Sequence, residues 1–274
     1  MNAVWTIAEK EVRDAVRSRW LIIYGVAFAV LALALSYLGE RNLGSLGFEN
    51  FSRTTASLIN LCLLLAPLVA LSLGAGSIAG EKERGNLTYL LAQPLERWEL
   101  LIGKFTGLFL SIGIATIAGF GAAGLVIAFY ATSLDVATYL LLLGLVLGLV
   151  ATMTGLGMIA SVISSSRVQA LGIALMIWFF AVLFFDLVLI GLVSSASLEG
   201  RALLFGVLLN PVEIVRVLAI INLEPDLEVL GPFGTYLLEE FGTGTATAIL
   251  ASALAVWIVG PVAAATWLFS DRRF

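Results

Sequence analysis

The sequence predicts an all-α integral membrane protein of six transmembrane helices, preceded by an amphipathic helix along the membrane surface. Three observations predict it. Of 274 residues, 60% are hydrophobic and only 12% are charged, whereas about a quarter of a soluble domain is charged. Mean hydropathy is +1.04. The charges also fall at bilayer intervals. Uncharged runs measure 20 residues between Arg19 and Glu40, 27 between Arg53 and Glu81, and 30 between Lys104 and Asp135. Further runs of 31, 18 and 30 residues separate Asp135 from Arg167, Arg167 from Asp186, and Glu240 from Asp271. A spanning helix takes about 20 mostly apolar residues to cross about 30 Å of hydrocarbon.

The first element is a surface helix within residues 1–19. Trp5, Ala8, Val12, Ala15 and Val16 share one face at helical spacing, and Glu9, Lys10, Arg13, Asp14 and Arg17 cover the other. Glu9 and Arg13 form an i,i+4 pair. Two readings stay open: a plain membrane anchor, or an elbow that also touches a cytoplasmic partner through this Trp5, Glu9, Glu11 and Arg13 segment. The apolar run from Trp20 to Leu38 follows a leader that is longer and more acidic than a signal peptide's, so it reads as a retained span.

Spans are expected at about 20–38, 57–79, 102–131, 137–163, 169–193 and 247–269. Runs near 30 residues exceed the minimum and imply tilt or extension past the hydrocarbon. Orientation follows from Lys and Arg. The N-terminus, residues 80–104, the 164–168 loop and the C-terminus hold 11 of the 15 basic residues. The positive-inside rule then puts both termini in the cytoplasm, in the cell (inner) membrane, and an even number of crossings agrees. The polar segments are too short for a soluble core. Residues 1–274 read as one membrane domain, with a cytoplasmic interface helix at 1–19, a cytoplasmic coupling region at 80–101 and an external helical segment at 194–246. In that external segment, Asn210 as N-cap, Pro211 at the first helical position and Glu213 three residues after the cap signal a helix start. Short external or half-inserted helices are expected there.

Composition also narrows the chemistry. There is no histidine, which removes the commonest general base and metal ligand. The single cysteine, Cys62, rules out an intrachain disulfide. Met153 and Met158 are five residues apart, hence about 140° apart on a helix, so no metal site is assigned. Basic residues are scattered among acids, which gives no sign of nucleic-acid binding. An aspartyl intramembrane protease needs two carboxylates, and Asp186 is the only ionisable residue inside an expected span. It lies about 28 Å along a helix from Arg167, near the outer interface. It is either a helix-pairing or interfacial Asp or a group at the outer end of a pathway. Gly76-x3-Gly80, Gly103-x3-Gly107 and Gly144-x3-Gly148 are read as helix-packing motifs.

The most specific stretch runs from Gly80 to Lys104. Charges at Glu81, Lys82, Glu83 and Arg84 precede a short helix bearing Leu87, Leu90 and Leu91, which Pro94 stops; Arg97 and Lys104 flank the next span. A short helix tied to two spans can pass force from a soluble motor, its apolar face sitting in the motor's groove. An ordinary amphipathic loop is the plain alternative. Glu81, Gly85, Leu87, Leu90, Leu91, Pro94, Arg97 and Gly103-Lys104 resemble the coupling region of type-2 ABC transporter (ABC-2) permeases. Trp5 to Glu11, Arg17 to Trp20, Phe185 to Leu189 and Leu209-Asn210-Pro211 are similar to the NosY-type branch of that family.

The resemblance implies a type V exporter-like permease, a non-catalytic subunit. It would form the translocation pathway with a second copy of itself, coupled to a separate P-loop ATPase that binds ATP and Mg. It also implies a link to copper–sulfur site maturation of nitrous oxide reductase, alongside a periplasmic β-helical accessory protein. The chain has no cofactor of its own on this reading, since Gly103-Lys104 lacks the Gly and Ser/Thr that a P-loop needs. The competing functions are an ATP-independent channel or secondary transporter, and a membrane anchor or assembly factor.

Overall fold

In lipid the backbone must satisfy its own hydrogen bonds, and each uncharged run does so as a helix. The computed structural model describes residues 3–41, 47–92, 95–130, 135–188, 200–223 and 230–271, and their regular structure is helical throughout. Chain order gives α1 (Ala3–Val16), α2 (Arg19–Arg41), α3 (Gly47–Glu83), α4 (Asn86–Leu91), α5 (Arg97–Tyr130) and α6 (Val136–Ile163). Next comes α7 (Arg167–Trp178), which continues through a π turn at Phe179–Phe184. The last four are α8 (Gly200–Leu209), α9 (Pro211–Leu223), α10 (Pro232–Glu240) and α11 (Gly242–Asp271).

Length and composition admit five to seven spans, a range that contains the six expected. Lys82 Nζ donates to the Ser164 carbonyl, Glu83 accepts the Arg167 backbone N–H, and Arg97 donates to the Ser270 carbonyl. These bonds gather the ends of α3, α6 and α11 with the starts of α5 and α7. Tyr24 bonds Thr116 and Phe28 packs near Phe120, so α2 runs parallel to α5, beside its second half. At 23 residues, α2 is about 34 Å long. The pair α8–α9 is bent by 116°.

Helices α3, α5 and α11 outrun the expected spans by a turn or more, while α6 matches its span to within one residue. α3 continues to Glu83 because nothing breaks it before Gly85, whose φ of 74° suits a residue without Cβ. α5 starts at Arg97, where the Glu99 carboxylate accepts the Glu96 backbone N–H, half of a capping box. Asp135 caps α6 by accepting the N–H groups of Ala137 and Thr138.

The tightest crossing is α3 on α6. A Cβ at Gly157 would lie 2.5 Å from the Leu71 carbonyl oxygen, and one at Gly74 would lie 2.6 Å from that of Thr154. The hydroxyl of Ser161 accepts both the Ile78 and Ala79 N–H groups at this crossing. The expected small-residue motifs behave differently. Gly76 and Gly80 face the Arg167 side chain and Gly144 faces open space; only Gly103 and Gly107 admit another backbone, that of α1. Spacing alone cannot tell which glycine faces a helix, since packing sets each helix's rotation. Cys62 and Met153 pack in the main core while Met158 packs in a smaller cluster, so the three do not converge.

Residues 200–241 hold α8, α9 and α10. In α9 the side chains from Pro211 to Val215 and from Val217 to Ala219 are buried against the bundle. Trp257 Nε1 donates to the Leu208 carbonyl and Asn210 Nδ2 to that of Ala181. The tip of the α8–α9 hairpin therefore lies about 21 Å along α7 from Arg167, inserted between spans.

Candidate functional site

Charge collects at the end of the bundle that carries α4. Helix α1 lies flat on the first turns of α5, because Gly103 and Gly107 let its backbone in: a Cβ at either would stand 2.9 Å from the Val4 oxygen or 2.7 Å from the Ala8 oxygen. This seats Glu11 over Lys104. Lys104 is 2% exposed, with Nζ 2.5 Å from Glu11 Oε1 and 2.7 Å from Glu81 Oε1. Lys10 Nζ lies 3.9 Å from the same Glu81 oxygen and balances the second carboxylate. An unpaired buried ammonium would cost far more than this arrangement. Three elements are thus pinned together: α1, the end of α3 that leads into α4, and the start of α5.

The docked face of α1 differs from the one expected. Ala8, Glu11 and Ala15 are buried, while Trp5 is 61% exposed and Val16 is exposed. Glu9 and Arg13 pair on the outside at 3.1 Å. Trp5 and Val16 stay exposed because the side of α1 that bears Ile7, Ala8 and Glu11 meets the α5 glycines instead. Sequence reasoning missed Glu11 as a buried ligand of Lys104. The available signal was its position one turn after Ile7 and Ala8 and one before Ala15.

Helix α4 also turns the opposite way from the expectation. Leu87 is 3% exposed and packs with Ile78, Leu101, Met158 and Phe269, and Leu90 joins the edge of that cluster. The leucine face therefore meets the chain's own core, not an external groove. Outward-facing are Asn86, Thr88 and Tyr89, the last 73% exposed. Leu91 ends the helix, its side chain lying outside the description, and Pro94 lies outside the described residues. Gly85 forms the left-handed joint between α3 and α4 with open space around it. Arg97 is used internally, donating to the Ser270 carbonyl at 2.9 Å and so capping the last turn of α11. Trp98 is 45% exposed and donates to Glu96.

At the opposite end, Asp186 accepts two bonds from Arg216, at 2.5 and 3.0 Å, which ties α7 to α9. Glu213 Oε1 lies 2.8 Å from Arg216 Nη1 at an angle that makes no hydrogen bond. Asn210 performs the expected cap, accepting the Val212 N–H at 3.0 Å, with Pro211 at the first helical position. Glu213 departs from the expectation: it turns toward Arg216 instead of back to the cap. Asn210 does a second job. Its Nδ2 donates at 2.7 Å to the Ala181 carbonyl in the π turn, where the regular ladder is interrupted.

Among the described residues no three His, Cys, Asp or Glu side chains group as a metal site. The arrangement at the α4 end is mechanical: a buried ionic joint behind a short helix with a polar, exposed face. Residues 5–273 match the model of the family described as ABC-2 family transporter protein. A protein of Pseudomonas aeruginosa called "Probable ABC transporter permease protein NosY" is 37% identical over 278 residues, covering 99% of each chain. One of the same description from Stutzerimonas stutzeri is 38% identical over 248 residues, covering 84% of this chain and 86% of the other.

Proposed function

The chain belongs to the ABC-2 family of transporter proteins and is a multi-pass membrane permease subunit; from that premise we propose that α4 docks it onto a separate P-loop ATPase in the cytoplasm. The observation that carries this reading is the Lys104 joint. A lever must be stiff where it meets the bundle and accessible where it meets the motor. Glu81 fixes the root of α4 to α1 and α5 through Lys104, while Thr88 and Tyr89 face outward. Force applied at Tyr89 would reach three helices together.

On this reading the α4 end is cytoplasmic, as the Lys and Arg distribution favours, and both termini lie there, in the inner membrane. ATP and Mg belong to the partner, and the permease itself catalyses nothing. Two copies form the pathway, and the second covers part of the apolar surface that α7 leaves open, where Met176, Phe180 and Phe184 are exposed. The NosY-type resemblance of Trp5 to Glu11, Phe185 to Leu189 and Leu209-Asn210-Pro211 extends the reading to maturation of the copper–sulfur site of nitrous oxide reductase, with a periplasmic β-helical accessory protein outside.

Copurification of the coexpressed ATPase tests the docking. Wild type should retain it, and Thr88→Asp/Tyr89→Asp should lose it with an unchanged melting temperature. Leu87→Asp should instead destabilise the permease itself. Undiminished ATPase association of the Thr88→Asp/Tyr89→Asp chain would refute the assignment of α4.

A further inference from the structure

A cavity of about 640 Å³ opens at the α4 end between α1, α3, α5 and α7. Its wall changes character along its length. Arg84 and Arg167 stand at one end, the hydroxyls of Ser77 and Ser72 follow along α3, and Leu68 with the 49% exposed Leu175 line the other end. From Arg84 to Leu68 is about 24 Å along α3, roughly to mid-membrane.

The mouth brings two guanidinium side chains together without a carboxylate between them. A Cβ at Gly80 would lie 3.7 Å from Arg167 Cδ and 3.9 Å from Arg84 Nη2, so both side chains reach over the same point of α3. Gly76 leaves room for the Arg167 guanidinium, whose Nε would be 3.5 Å from a Cβ there. The carboxylates nearby are committed elsewhere. Glu11 and Glu81 hold Lys104, and Asp14 lies 3.7 Å from Lys10. Glu83 takes the backbone N–H of Arg167. Among the described residues no carboxylate oxygen lies within 4.0 Å of either guanidinium. Like charges held side by side repel. A planar fork of donors fits an oxyanion better than it fits anything else in reach.

We propose that this cavity binds an anionic amphiphile from the inner leaflet, its phosphate-like headgroup held by Arg84 and Arg167 and its apolar part laid against the leucines below. The proposal deepens the permease reading by naming a substrate class, and it rests on that reading only for transport; binding itself needs no ATPase. Neutral hydroxyls between the two zones suit the ester region of such a molecule, and the side open at Leu175, 49% exposed and apart from Met176, Phe180 and Phe184, offers the entrance that a lipid needs.

The test is a titration of the purified full-length chain with fluorescent phosphatidic acid, with phosphatidylcholine of the same acyl chains, and with inorganic phosphate as competitor. Saturable binding of phosphatidic acid is expected, at least tenfold tighter than phosphatidylcholine and not displaced by equimolar phosphate. Arg84→Gln and Arg167→Gln should each weaken it about tenfold, about 1.4 kcal/mol, and the double variant about a hundredfold. Arg201→Gln, at the far end, should change nothing. Two further variants guard against misfolding. Arg84→Lys/Arg167→Lys should bind within about tenfold of wild type, and Leu175→Trp, with both arginines intact, should lose binding by narrowing the apolar end. Equal affinity for the two lipids, displacement by equimolar phosphate, or an unchanged Arg84→Gln/Arg167→Gln affinity would overturn the proposal. Because no ATPase is present, such a failure leaves the docking of α4 standing.

Discussion

Replacing Lys104 with methionine keeps the length and most of the volume of the side chain but removes its charge. Glu11 and Glu81 are then left facing each other with side chains only 12% and 7% exposed. Lys10, at 3.9 Å and half in solvent, cannot compensate both. Removing one partner of a buried pair costs about 3–5 kcal/mol, because the stranded charge remains desolvated. In a chain of this size 1 kcal/mol moves the melting midpoint by about 2–4 °C. Lys104→Met should therefore melt roughly 6–20 °C below wild type in lipid nanodiscs. The neutral set Lys104→Met/Glu11→Gln/Glu81→Gln strands no charge and should recover most of the loss. The comparison separates ionic pinning from simple packing. If Lys104→Met melts within about 2 °C of wild type, or the neutral set melts no higher than the single variant, the three helices are not held by this joint.

Three other outcomes follow from measured contacts. Gly157→Ala should cost about 1–3 kcal/mol, since its Cβ would meet the Leu71 oxygen at 2.5 Å, whereas Gly144→Ala meets nothing within 4 Å and should be neutral or slightly stabilising; equal melting shifts would discredit the tight α3–α6 crossing. A double-mutant cycle of Asp186→Asn with Arg216→Gln should show coupling of about 1–2 kcal/mol, and additivity within about 0.5 kcal/mol would mean that the bidentate pair does not tie α7 to α9. Asn210→Ala should cost about 2–3 kcal/mol by losing both the cap and the donor to Ala181, while Asn210→Asp should restore only the capping part; full recovery by aspartate would show the π-turn bond to be idle.

Much of the architecture is written in where the charges are absent. Runs from Arg53 to Glu81 and from Lys104 to Asp135 can only be satisfied as helices in lipid, and Asn210-Pro211 starts α9 by local chemistry that needs no neighbour. The coupling segment was equally legible as a short helix between two spans. Its rotation was not: Leu87 turns inward because Ile78, Met158 and Phe269 arrive from three other helices to cover it. Lys104 looked like a boundary charge, and its partners lie 93 and 23 residues away. The small-residue motifs read alike in sequence, yet Gly103 faces α1, Gly80 faces two arginines and Gly144 faces no neighbour. Hydrophobicity and capping act within a few turns of one helix, so the chain alone marked where the apolar helices lie, although α3, α5 and α11 run a turn or more past the expected spans. Which faces meet depends on how helices far apart in sequence rotate to bury their volumes and neutralise their charges. Only the folded bundle decided that, and with it the ionic joint, the outward face of α4 and the basic mouth of the cavity.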